Sequence, residues 1–242
     1  FGYSVAIDGS YALVGAPYND IGNDSDAGSA YLYKFSDNNG VLAIDNSLQI
    51  LASDPAEYDQ FGYSVAIDGS YALVGAPYND IGNDSDAGSA YLYKFLENNN
   101  VLSIDNSLQI LASEGLGGDY FGHSVAIDGS YALVGAYRKD SNKGSAYLYK
   151  FSENGNHVLA IDTSLRILAS DGVFGDYFGY SVAIDGNYAL VGARKNYVGN
   201  IADAGSAYLY KFRESGTAGQ PAATFTIDNS LQIFASDPDT ND

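Results

Sequence analysis

The chain has no Cys, no Met and no Trp in 242 residues. Without thiols there is no disulfide, no thiolate metal site and no cysteine nucleophile; the compartment stays open on this count. Its two histidines, His123 and His157, lie far apart in sequence and form neither a metal set nor a triad. Cations are scarce as well, 11 Lys and Arg against 30 Asp and Glu, for a net charge of −19. Such a surface offers no cationic footprint to phosphates, which argues against nucleic acid and anionic membrane as partners. No apolar run approaches the roughly 18 residues of a membrane span, so no membrane insertion is expected. No HExxH, GxSxG or Gly-rich phosphate loop occurs, and nothing in the sequence indicates an enzyme.

What the chain does have is repetition, and repeats decide the fold before any other signal. FGYSVAIDGSYALVGAPYND opens the chain at Phe1 and returns unchanged at Phe61; looser copies begin at Phe121 and Phe178. The copies divide the chain into units 1–60, 61–120, 121–177 and 178–242. Each unit runs in the same order: FGxSVAID, YALVGA, GSAYLYKF and a variant of SLQILAS. These segments are short, rich in β-branched and aromatic residues, and bounded by Gly, Asp, Asn or Ser, which reads as four strands per unit. Asp8-Gly9, Asp68-Gly69, Asp128-Gly129 and Asp185-Gly186 predict tight antiparallel hairpins between the first two strands.

The strands are apolar on both faces. In GSAYLYKF, Tyr31, Tyr33 and Phe35 make a bulky face, and Ala30, Leu32 and the Lys34 stem a smaller one. A sandwich sheet usually leaves one face polar. Here both faces should be covered, bulky against small, so that Leu32, Tyr33, Leu92 and Tyr93 are buried between neighbouring sheets. The reading is an all-β fold of β-propeller blades, each of four antiparallel strands.

Phe1-Gly2 followed by Gly15-Ala16-Pro17, and Phe61-Gly62 followed by Gly75-Ala76-Pro77, resemble the FG-GAP repeat of integrin α subunits and bacterial surface proteins. Copies three and four depart from it, with Tyr137 and Arg194 at the Pro position. The resemblance implies that the Phe-Gly strand is innermost, and that seven blades is the usual number. Four copies leave three arrangements: a closed four-bladed ring, half of an eight-bladed dimer, or a fragment of a longer array. A chain opening at Phe1, inside its own motif, reads as a piece of something longer. Asp242 aligns with Asp59, Asp119 and Asp176, each two residues before a Phe-Gly.

Functionally, the resemblance implies an extracellular or cell-surface adhesion module that presents one propeller face to a protein or glycan. The alternative is a structural subunit of a surface filament or coat. The loops after Gly-Ala are the candidate sites. Asp20, Asp24 and Asp26, with their duplicates Asp80, Asp84 and Asp86, offer oxygen ligands of the kind Ca²⁺ takes. Asp24-Ser25-Asp26-Ala27-Gly28 is nevertheless one ligand short of the D-x-D-x-D-G pattern that the resemblance implies, and it lies one loop later. In copies three and four the same loops carry Arg138, Lys139, Lys143, Arg194 and Lys195. One face should therefore have an acidic half and a basic half, suited to a partner or to self-association into a ring or filament. Asn23 and Asn83 head N-x-S triplets.

Overall fold

A computed structural model describes residues 1–199, 201–215 and 224–235; Asp242 lies outside them. The first unit folds as β1 (Val5–Asp8), β2 (Tyr11–Ala16), β3 (Ser29–Asn38) and β4 (Val41–Ile50). The second contains β5 (Ser64–Asp68), β6 (Tyr71–Ala76), β7 (Ser89–Asn98) and β8 (Val101–Ile110). The third contains β9 (Ser124–Asp128), β10 (Tyr131–Ala136), β11 (Ser145–Glu153) and β12 (Leu159–Ile167). The fourth contains β13 (Phe178–Asp185), β14 (Tyr188–Ala193), β15 (Ser206–Ser215) and β16 (Thr224–Ile233). Each quartet is one antiparallel sheet in sequence order, a meander of four strands. These sheets are four blades.

The hairpins form where Asp-Gly predicts them. Asp8 pairs with Tyr11, leaving Gly9 and Ser10 as the loop, and Gly9 has φ +53°. Glycine at the first of two loop residues is what a type II′ turn asks for, because its twist matches that of the strands.

The blades stack in chain order, with β1, β5, β9 and β13 packing in series as the innermost strands. The front of each blade is the bulky face, and it packs on the small rear face of the blade before. Tyr91, Tyr93 and Phe95 of blade 2 join Leu13, Ala30, Leu32 and Ile50 of blade 1 in one core cluster. The blade 2–3 and blade 3–4 seams repeat it.

The motif glycines make these seams possible. A Cβ on Gly15 would stand 2.0 Å from the Gly62 carbonyl oxygen, and one on Gly62 would stand 2.3 Å from that of Ser29. Only bare backbone lets the Phe-Gly of one blade lie this close to the Gly-Ala of the last. The seam is also hydrogen-bonded: Ser4 Oγ donates to Gly62 O at 3.2 Å, and Asp8 Oδ2 accepts from Gly69 N at 2.8 Å.

The stack is open at both ends among the described residues. Phe1 on the front of blade 1 is 76% exposed, whereas Phe61, Phe121 and Phe178 are fully buried. On the rear of blade 4, Leu190 is 37% exposed, against 0% for Leu13, Leu73 and Leu133. Of the three arrangements considered, the closed four-bladed ring is therefore not the one adopted. Closure would bring β13 against β1 as closely as β9 meets β13, and that packing is missing. For the same reason Tyr33 is only half-buried while Leu32, Leu92 and Tyr93 are buried; no described blade lies on the front of blade 1.

Candidate functional site

The loops after Gly-Ala and the linkers between blades come together on one face. Each linker is stitched to the preceding blade's loop: Tyr58 N donates to Ser25 O at 2.8 Å and Gln60 N to Asp26 O at 3.0 Å. A buried carboxylate then fixes the linker's bend. Asp59 Oδ2 accepts from Ala56 N at 2.8 Å and from Asn79 Nδ2 at 3.1 Å. Asp176 repeats this with Val173 N and Asn196. In blade 3 the amide is replaced. Lys139 stands where the other copies have Asn, and its Nζ donates to Asp119 Oδ2 at 2.9 Å and to Glu114 O.

Lys139 is consequently 2% exposed. Its assignment as a partner-binding residue is corrected: the lysine faces inward because a buried carboxylate needs a donor at that place. Arg138 and Lys143 are exposed as expected, Arg194 is exposed and Lys195 half-buried. Of the loop acids opposite them, Asp140 is held by Arg166.

The acidic loops of blades 1 and 2 fold alike. Ile21 and Asp24 exchange backbone hydrogen bonds of 3.0 and 3.1 Å around Gly22-Asn23, a miniature hairpin with Gly22 at φ +66°. Asp20 Oδ1 accepts from Asp26 N at 3.0 Å, and Asp80 Oδ1 from Asp86 N at 2.9 Å. Asp20 and Asp80 therefore serve turns, and among the described residues the loop carboxylates are not gathered as a ligand set. Among the described residues, the group whose ligating atoms lie within 4.8 Å of one another is Asp105, Glu153 and His157. Lys94 Nζ already occupies that group, 2.5 Å from Glu153 Oε2 and 3.7 Å from Asp105. The same lysine–carboxylate pair recurs as Lys34–Glu97 and Lys150–Glu214, so it belongs to the seams. Asn23 and Asn83 are exposed at their loop tips.

The most developed feature of this face is aromatic. The third residue of each copy stands at the loop-face end of the innermost strands, and Tyr3, Tyr63, His123 and Tyr180 form a row. Neighbouring ring centroids in it are 4.8, 5.0 and 4.7 Å apart. Loop and linker rings widen the row. Tyr18 meets Tyr3, Tyr78 meets Tyr63 and Tyr120, and Tyr137 touches His123, Tyr177 and Tyr180. Cations lie on this lattice. The Arg138 guanidinium is 4.6 Å from the Tyr120 centroid, Arg194 is 4.5 Å from Tyr180, and Lys195 Nζ is 5.4 Å from Tyr177. Burial pushes the His123 imidazole down to about 4, so at neutral pH it is one more uncharged ring. Reading the loops for charge missed this lattice. The signal was present in the repeat itself, a ring at the third position of every copy.

The Gly-to-Phe-Gly seam, repeated at each junction, is where the sequence pattern and the fold meet. The sequence profile of the FG-GAP repeat matches residues 1–33, 46–93, 107–149 and 164–210. The chain belongs to the FG-GAP repeat family. Its motif names the two ends of one seam, Phe-Gly entering a blade and Gly-Ala on the blade that receives it. No curated protein gives a significant match to this FG-GAP chain. Among the described residues, no helix is long and apolar enough to cross a membrane.

Proposed function

We propose that this FG-GAP chain is an extracellular or cell-surface binding module that takes a protein or glycan partner on its tyrosine-rich loop face. The observation that carries this reading is the continuous ring lattice from Tyr3 to Tyr180, overlaid by Arg138 and Arg194. Tyrosine supplies large, stiff contact area with a polar tip, and arginine on an aromatic face stays free to pair with a carboxylate. On a chain of net charge −19, these two arginines give the basic half of the face a place for anionic groups, away from its acidic loops. The module is read as non-enzymatic. A panel of neutral oligosaccharides, uronic-acid oligosaccharides and acidic peptides tests the reading, followed by tyrosine fluorescence. Saturable binding should appear in one class, weakened by Tyr63→Ala and by Arg138→Ala/Arg194→Ala. Absence of saturable binding in every class, or binding indifferent to these substitutions, overturns it.

Calcium in the acidic loops is a separate proposal. It requires the loop carboxylates to converge from the places they hold here, where Asp20 and Asp80 each give one oxygen to a turn. If they do, millimolar Ca²⁺ raises the melting temperature by mass action, and Asp24→Ala/Asp84→Ala removes the rise. An unchanged melting temperature assigns the carboxylates to the turns alone.

A further inference from the structure

The loop face changes sign at the seam between blades 2 and 3, in the interior of the stack. On the blade 2 side Asp80 and Asp84 are exposed, and their loop, residues 79–88, contains no Lys or Arg. On the other side Arg138, Lys143 and Arg194 are exposed and Lys195 is half-buried. Among the described residues none of these four cations pairs with a carboxylate, whereas Lys34, Lys94, Lys150 and Arg166 all do. Cations are scarce on this chain, and the ones left free of a partner gather on one half of one face.

Rings bridge the two halves. Tyr78, two residues before Asp80, has its ring 4.9 Å from that of Tyr120. The Arg138 guanidinium lies 4.6 Å from the Tyr120 centroid and donates to its hydroxyl at 3.3 Å. Both tyrosines are half-buried, so each is packed in place yet keeps surface for a partner. Burial and Asp80 push the Asp86 carboxyl up, and Arg138 across the seam pulls it down, so the halves lie within each other's field. A ligand crossing here meets both signs within two ring steps. An anionic polysaccharide repeats one sign along its length and would set charge against Asp80 and Asp84 as well as on Arg138. A neutral one leaves both halves unanswered. A protein segment carries a cation and a carboxylate a few residues apart, and about three extended residues cross steps of 4.9 and 4.6 Å.

Resting on the reading of this face as a binding face, we propose that its partner is a protein segment of mixed charge. A Lys or Arg of that segment lies over Asp80 and Asp84, a carboxylate pairs with Arg138, and about three uncharged residues between them lie on Tyr78 and Tyr120. The rings supply contact area and the charges fix register. Arg138 is already held on the Tyr120 ring, so it loses little freedom when the carboxylate arrives. Both ion pairs are at the surface and are screened over about 8–10 Å at moderate ionic strength.

Fluorescence anisotropy of the 242-residue chain with labelled peptides tests it. The probes are Lys-Lys-Ser-Tyr-Ser-Glu-Glu, an all-acidic version with Glu at both ends, and an all-basic version with Lys at both ends. At low salt the mixed peptide should bind about five- to ten-fold more tightly than either single-sign peptide, and about 0.5 M salt should erase most of the difference. Arg138→Glu should turn the preference to the all-basic peptide. Asp80→Asn/Asp84→Lys should turn it to the all-acidic one, and Asn at position 80 keeps an oxygen for the Asp86 N–H. A reversed preference reports recognition, which a loss of folding would not produce. An all-acidic peptide or a uronic-acid oligosaccharide that binds wild type as tightly as the mixed peptide overturns the proposal and leaves the face a binding face. Preferences that the substitutions do not move overturn it as well. Self-association of the chain that Arg138→Glu abolishes would give the face to a second copy, which also overturns it. Absence of saturable binding by every peptide and oligosaccharide overturns both this proposal and the reading on which it rests.

Discussion

Residues 1–35 and 61–95 are the same 35 residues in the same order, folded into the same three strands, yet they live in different environments. Phe61 is fully buried and Phe1 is 76% exposed; Ile67 is 8% exposed and Ile7 69%. Nothing in the residues differs, so the difference is the neighbour alone. Blade 2 has another blade in front of it; among the described residues blade 1 has none. In a stacked array, stability is divided between what a repeat does for itself and what each seam adds. The two copies separate those terms within one molecule.

The sharpest way to break the comparison is to remove the same ring from both copies. Phe61→Ala empties a fully buried site and should cost about 3–5 kcal/mol, whereas Phe1→Ala should stay within about 0.5 kcal/mol. Reversible urea unfolding measures both. Equal costs would mean that the seams contribute nothing.

The linker seats allow a similar contrast between two lysines of one loop. Lys139→Ala leaves the Asp119 carboxylate buried without its cation and should cost about 3–5 kcal/mol. Lys143→Ala, four residues on and exposed, should change stability by less than about 0.5 kcal/mol. A mild effect at Lys139 would return it to the surface charges.

Gly75 and Gly192 occupy equivalent places, one against a following blade and one not. Gly75→Ala drives a Cβ to 1.9 Å from the Gly122 carbonyl oxygen, and a forced shift of this kind costs about 1–3 kcal/mol. Gly192→Ala presses only on the Ser181 hydroxyl, which can rotate away, so its cost should be the smaller of the two in thermal melts.

The smallest effect depends on pH. Burial pushes the Asp59 carboxyl up to about 6, above the roughly 3.9 of an unfolded aspartate. The folded state therefore binds the proton more tightly. The stability this gives is complete below about pH 4 and is lost as the pH rises through about 6. Asp59→Asn removes the titration, so wild type should lose about 1–3 kcal/mol relative to the variant between pH 4 and 7. Denaturant titrations at four pH values check this. Burial moves Asp176 in the same direction, and Asp176→Asn should behave alike.

How far all this could be read from the sequence follows from how local each signal is. The hairpins, the strand order and the pairing of bulky against small faces were legible, because Asp-Gly turns and alternating side chains act within a few residues of themselves. The open ends were not, since identical copies cannot reveal which one lacks a neighbour. Lys139 was misplaced because a lysine in a loop ordinarily keeps its charge in water; aligning it with Asn79 and Asn196 would have pointed to the buried carboxylate. The tyrosine row escaped notice because its members, Tyr3, Tyr63, His123 and Tyr180, lie 57 to 60 residues apart and meet only when blades are stacked.

The seam also imposes an order in time. The groove beside Gly15 is filled by residues 61 and 62, which belong to the next repeat. A blade emerging from the ribosome, at about 5–20 residues per second, can complete its own four-stranded sheet but not its packing. Its small face stays bare until the following Phe-Gly clears the exit tunnel and docks. During synthesis every blade therefore waits on its successor by a few seconds, with one apolar surface at a time exposed to whatever chaperone or nascent chain is nearby.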